Sequence, residues 1–320
     1  MDSLQPSQLV RQLDAIAEHR SAPFSEGRSM HWRIFGHGEP LVLVHGGHGS
    51  WLHWVRNIEQ LSRQRRLLVP DLPGFGDSDD PPEGSDLQYI VEAFIASLDR
   101  LLGARSPIDL AGFSLGGIVS ARAAAKRGAV RKLALLGSPG TGTPRRTRAE
   151  MIRWRQTDES KADEAAQNAA LKHNLLAHMM HDEANVDALG FEAYVTAVKR
   201  TRYRTNGVGS RSSLPSLLTG YTDPVLFVYG EHDVTGTPEL AEEVLIASAA
   251  NREFRLIRDG GHWIQYERAE AVNEVLTRWF AHYRAFPISC HARPSPPTPL
   301  PGGEGSVASV LDCRPIRNDQ

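Results

Sequence analysis

Gly112-Phe113-Ser114-Leu115-Gly116 stands between two segments of different character. Before it, "PIDLAGF" is an apolar run with the length of a strand buried on both faces. After it, "LGGIVSARAAAKRG" carries small and apolar residues in helical spacing and closes on a glycine. A chain that passes from buried strand to helix through so few residues must turn sharply. The serine at the centre is then held in an unfavourable backbone conformation, and side chains two places away on either side would collide. Glycine at 112 and 116 removes the collision. A turn of this kind needs a sheet on one side and a covering helix on the other, so it points to a layered α/β fold.

The rest of the chain agrees. "MHWRIFG", "PLVLVHGG", "RRLLVPDLPGFGDSD" and "RKLALLGSPG" read as strands, the second as one buried on both faces. "LQYIVEAFIASLDRLLG" has the apolar period of a helix and ends at Gly103. Later, "DPVLFVYGEHD" and "REFRLIRDGGH" read as strands, each followed by a helix, "PELAEEVLIASA" and "AVNEVLTRWFAHYRAF". Leu4, Leu9, Val10, Leu13 and Ile16 predict a surface helix over residues 4–19. The expectation is a mostly parallel central sheet with helices on both faces. Residues 140–215 are rich in Arg, Ala, His and Glu with little strand signal, and read as an inserted helical cap. The core is expected over 1–139 and 216–286. From Pro287 onward Pro, Gly and Ser crowd the chain, and 287–320 reads as a disordered tail.

Composition excludes several function classes. With 320 residues and 41% apolar content the chain can build a large core. A net charge of −2 offers no broad basic field for nucleic acid. There is no apolar run of membrane-spanning length. The first residues lack the apolar stretch of a secretion signal, and the only cysteines are Cys290 and Cys313. A cytoplasmic protein is expected, acting on a small molecule as a monomer or homodimer. No metal or cofactor is expected.

A serine hydroxyl is a weak nucleophile until a base takes its proton. His262, in "RDGGHWIQYE", follows a strand and a Gly-Gly pair, where a base can reach across the carboxyl edge of the sheet. The base needs an orienting carboxylate. Asp233 ends its own buried strand in "VYGEHD" and is preferred to Asp259, which would have to fold back on the loop of His262. The order Ser114, Asp233, His262 is the one expected for this strand arrangement. Two backbone N–H groups should hold a developing oxyanion. Leu115 is the first, and Gly47 in "LVHGGHGS" the second. Gly46 and His48 in that loop, Phe113 beside the serine and Trp263 beside the histidine are candidate substrate contacts.

"HGG", "DLPGFGDSD", "GFSLGG", "YGEHD" and "GGHWIQYERAEAVNEVL" together resemble the α/β-hydrolase superfamily, over about residues 28–286. The resemblance implies Ser114 as nucleophile, His262 as base, Asp233 as its partner, and Gly47 and Leu115 as oxyanion donors. Within the superfamily, "HGG" and "GHWIQYE" are similar to the meta-cleavage product hydrolases, which cut carbon–carbon bonds in vinylogous 1,5-diketone acids. In that group a Trp follows the catalytic His, as Trp263 does; an Asn usually precedes the nucleophile, where Phe113 stands. It also uses a cap arginine, for which Arg200, Arg202 and Arg204 are candidates. The expected activity is a serine esterase-like hydrolysis of a small ester, lactone or thioester through an acyl-enzyme. A carbon–carbon bond hydrolase is the alternative, and a non-catalytic ligand-binding homologue a further one. Three other features are set aside. His173, His178 and His181 on a cap helix lack the carboxylate support of a metal site. "TPRRTRAEMIRWRQ" reads as a solvated cap helix. Trp51 and Trp54 read more readily as core than as pocket wall.

Overall fold

The computed structural model describes residues 5–155, 163–204, 212–247 and 249–281. The segment expected to be a disordered tail, with Cys290 and Cys313, lies outside them. Eight strands form one sheet in the order β1-β2-β4-β3-β5-β6-β7-β8. They are β1 (Glu18–Ser25), β2 (Arg28–Phe35), β3 (Pro40–Val44), β4 (Arg66–Pro70), β5 (Ile108–Phe113), β6 (Val130–Leu136), β7 (Val225–Gly230) and β8 (Arg252–Ile257). β1 and β2 pair antiparallel, and β2 pairs antiparallel with β4. Every other pairing is parallel.

Side-chain alternation explains why the central strands read as unbroken apolar runs. Val42 and Val44 of β3, Leu110 of β5 and Phe227 of β7 pack into one layer. Leu41 and Leu43, Ala111 and Phe113, and Leu226 and Val228 pack into the other. Helices α3 (Leu87–Leu102) and α4 (Leu115–Arg127) cover the first face through residues such as Ile90, Phe94 and Ile118. The second face is covered by α1 (Pro6–Ile16), α2 (Ile58–Ser62), and the C-terminal pair α9 (Ile264–Glu267) and α10 (Ala269–Trp279).

Residues between β6 and β7 carry no strand among those described. They hold α5 (Glu164–Asn174), a π-turn at Leu175–Met179, α6 (Ala188–Lys199) and the short α7 (Leu214–Leu217). Helix α8 (Pro238–Ile246) then joins β7 to β8. Two local expectations need correction. The helix expected over 4–19 stops at Ile16, and an edge strand follows that the apolar pattern does not announce. Only Ala22 and Phe24 of β1 are buried, and Pro23 sits where an edge strand tolerates it. The basic stretch 143–156, expected as a helix, is irregular backbone over its described residues 143–155.

Candidate active site

Strand β3 is followed in sequence by β4 on one side and then by β5 on the other, so the chain reverses its winding between β3 and β5. Loops at the carboxyl edge of such a reversal diverge and leave a crevice. Ser114 lies there, directly after β5, with φ 51° and ψ −118°. The sequence tolerates this strain through its neighbours. A Cβ on Gly112 would stand 2.3 Å from the Gly116 carbonyl oxygen, and one on Gly116 would stand 2.3 Å from that of His45.

The structure brings the three sequence-selected polar residues together. Ser114 Oγ is 3.0 Å from His262 Nε2. His262 Nδ1 is 3.0 Å from each carboxylate oxygen of Asp233. Asp233 follows β7, is fully buried, and also accepts from the Thr235 N–H at 2.8 Å and its hydroxyl at 2.7 Å. Burial alone would raise the Asp233 carboxyl, but His262 and the two Thr235 bonds together hold it below its ordinary value. An ionised carboxylate only accepts, so Nδ1 of His262 carries the proton and Nε2 faces the serine as an acceptor. Asp259, the rival carboxylate, is exposed; its backbone N–H donates to Glu231.

The loop after β3 is set by two buried histidines. His45 Nδ1 donates to the Gly46 carbonyl at 2.8 Å while its Nε2 accepts the Leu72 N–H at 2.9 Å. His53 Nδ1 accepts the Gly46 N–H at 3.1 Å. Burial, chiefly, lowers the pKa of both imidazoles, and the neutral form is the one that can accept these bonds. Gly46 is thereby consumed at both its N–H and its carbonyl. The N–H groups of Gly47 and Leu115 have no partner among the described residues. Leu115 is the first residue of α4, where backbone donors are free and the helix dipole favours negative charge.

A cavity of about 680 Å³ opens over Ser114 and His262. Gly47, His48, Phe113 and Leu115 line it from the sheet edge; His178, Met179 and Tyr194 line it from the insertion. Gly46 and Trp263, expected as substrate contacts, are placed otherwise. Gly46 is locked behind the loop by its two histidines. Trp263 turns away from His262 into the core, fully buried, and its Nε1 donates to the His53 carbonyl at 2.9 Å. Trp51 and Trp54 are core. Arg200 pairs with Asp77, and Arg202 pairs with Asp80 at 2.5 Å, so both pin the insertion to the loop after β4. Neither they nor Arg204 line the cavity.

Sequence reading missed Arg145, Met151, Ile152 and Trp154, which reach the cavity wall from the irregular stretch after β6. It also missed Tyr194, which is 6% exposed and whose hydroxyl burial pushes up from its ordinary value. The rings of His178 and His181 pack on different partners. His178 faces His262, with ring centres 5.2 Å apart, and His181 stacks on His232 at 3.5 Å. Glu267 was also missed. This buried carboxylate accepts the Gly261 N–H at 2.6 Å, the His181 N–H at 3.0 Å and the Asp182 N–H at 2.9 Å. It therefore ties the loop bearing His262 to the insertion.

The profile of the alpha/beta hydrolase family matches residues 41–275. Among curated proteins, the dihydrolipoyllysine-residue acetyltransferase component of the acetoin cleaving system of Pseudomonas putida is 32% identical over 269 residues. That alignment covers 78% of this chain and 66% of that protein. The 2-hydroxymuconate semialdehyde hydrolase of Pseudomonas sp. strain CF600 is 26% identical, over 79% of this chain and 91% of its own. Among solved structures, the esterase RhEst1 from Rhodococcus sp. superposes with a TM-score of 0.66 at 21% identity, covering 81% of this chain and 97% of its own. The meta-cleavage product hydrolase CumD from Pseudomonas fluorescens gives 0.62 at 20% identity, covering 82% and 97%. Sheet order, strand-edge loops and family match agree: the chain belongs to the alpha/beta hydrolase family.

Proposed function

We propose that this protein cleaves a small carbonyl substrate, an ester, lactone or thioester, through a serine-linked acyl-enzyme. The observation that carries the reading is the hydrogen-bonded chain from Ser114 through His262 to Asp233, opening on the cavity. Ser114 Oγ attacks the carbonyl carbon while His262 Nε2 takes its proton. Asp233 keeps the imidazole in the tautomer that can do so and stabilises the imidazolium. The N–H groups of Gly47 and Leu115 receive the oxyanion; each such donor is worth about 3 kcal/mol of barrier. His262 then protonates the leaving group. Water, losing its proton to His262, attacks the acyl carbon and returns the free serine.

A second reading has the same residues cut a carbon–carbon bond of a dienoate acid. Its support is the naming of several relatives as hydrolases of such compounds, including the 2-hydroxy-6-oxononadienedioate hydrolase of Escherichia coli, 29% identical over 275 residues. Arg145, on a cavity wall that carries no carboxylate among its described residues, suits an acidic substrate.

The test is turnover of short aryl esters and of a meta-cleavage dienoate by the protein and by Ser114→Ala. The serine variant should lose about 10⁴-fold or more in rate with an unchanged thermal midpoint. Ser114→Ala turning over at the parent rate overturns the mechanism. Serine-dependent dienoate cleavage well above ester cleavage selects the second reading.

A further inference from the structure

We infer that His178 is a second imidazole of the reaction, a positioning residue that holds the hydrolytic water over His262 during deacylation. This rests on the serine-hydrolase reading and assigns a role to a residue outside the Ser114, His262 and Asp233 chain.

Four observations carry it. His178 lines the cavity, and its ring is tilted by 53° to that of His262 at 5.2 Å between centres. Its imidazole has no hydrogen-bond partner among the described residues, although it stands in a wall where the Asn174 side chain and Thr235 are already satisfied by the protein. It sits in the π-turn Leu175–Met179, closed by the Met180 N–H on the Leu175 carbonyl at 3.0 Å. A π-turn inserts one residue into the helical register and re-aims those that follow, and such turns are frequent at functional sites. Finally, the turn is fastened to the catalytic loop. The Trp263 N–H donates to the Met179 carbonyl at 2.6 Å, so the residue after His178 is bonded to the residue after His262. The two backbone segments that carry the imidazoles are thus joined directly.

The chemistry follows from protonation. Burial first, then His262 and Arg145, push the His178 pKa down to about 3, so the ring is neutral and keeps one acceptor nitrogen. While the serine is free, its hydroxyl occupies His262 Nε2. Once Ser114 Oγ is acylated it has no proton to give, and Nε2 is open to water. A water that donates one hydrogen to His262 Nε2 and the other to His178 has its lone pairs left for the acyl carbon. The oxygen bonds to that carbon and the first proton moves to His262. The carbon–Oγ bond then breaks and the proton returns to Ser114. The second hydrogen leaves with the product acid.

The experiment uses para-nitrophenyl acetate in a stopped-flow instrument, where the initial release of nitrophenolate reports acylation and the steady state reports deacylation. His178→Phe should leave the rate of the initial release unchanged and slow the steady state about tenfold, the worth of one ordinary hydrogen bond. kcat and KM should fall together, with kcat/KM held. His178→Gln, which retains an acceptor, should recover most of the loss. Stoichiometric labelling of Ser114 by a phosphonate in both variants establishes that the site is intact. Equal slowing of both phases, no burst in His178→Phe, or no recovery with Gln overturns the role of His178. Turnover by Ser114→Ala in the same assay would instead overturn the serine mechanism beneath it.

Discussion

The two halves of the site are built differently. The sheet-edge half, with Ser114, Asp233, His262, Gly47 and Leu115, hangs from the ends of buried strands, and its Asp233 and His262 are each held by several bonds. The insertion half reaches the cavity from irregular backbone, a π-turn and two helices. Met151 is 54% exposed there and Ile152 46%. The difference separates two tasks. The rigid half can hold reacting atoms to within a fraction of an ångström, as catalysis by positioning demands. The looser half sets which molecules enter and, apart from His178, can vary without disturbing the reaction.

Substitutions can sharpen or break this comparison. The largest effect is expected at the sheet edge. Asp233→Asn removes the charge that selects the His262 tautomer and should lower kcat by about 10⁴-fold with the fold retained. A loss below tenfold in ester turnover would mean that the two halves do not differ as described. Glu267→Gln comes next, since it weakens the bonds to Gly261, His181 and Asp182 that join the halves. Charged hydrogen bonds of this kind contribute about 2 kcal/mol each, so the thermal midpoint should drop by several degrees and kcat by about tenfold. Arg145→Met should act on selection alone. KM for an ester carrying a free carboxylate should rise about tenfold, and a neutral ester of the same length should be unaffected, the size of one charge-assisted contact.

The smallest effect concerns acid stability. The folded pKa of His178 lies near 3, below the ordinary value of 6.5, so the unfolded chain takes up a proton that the folded one refuses. Stability from this group is complete above about pH 6.5 and falls as pH drops from there toward about 3. His178→Gln should therefore lose less stability than the parent between pH 7 and pH 5, read as the shift in urea midpoint. Identical shifts in both proteins would show that His178 titrates normally.

The same division explains what could be read from the chain. The strand-edge residues declare themselves because their constraint is local: a serine at φ 51° needs small neighbours, and glycines at 112 and 116 are adjacent in sequence. Trp263 and Gly46 read as substrate contacts from the sequence because they adjoin the candidate catalytic residues. Adjacency does not fix direction, and on a tight loop the next side chain commonly faces the other way. Trp263 does so and closes the core behind His53. Arg145, His178 and Tyr194 lie in three separate segments, and only long-range packing brings them to one wall. No local pattern encodes that. Strand β1 escaped for a related reason, since its first four residues are exposed and give no apolar alternation.

The bonds from Glu267 and Trp263 to residues 179–182 carry a consequence for modularity. They act as a docking port between a firmly held engine and an exchangeable attachment. Apart from a hydrogen-bond acceptor at the place of His178, a foreign insertion grafted between β6 and β7 need not copy the sequence of this one. It must present one carbonyl to the Trp263 N–H and two successive N–H groups to Glu267. Grafts that meet this three-point plug should leave the engine running while replacing its choice of fuel, and grafts that miss it should idle however well they fold.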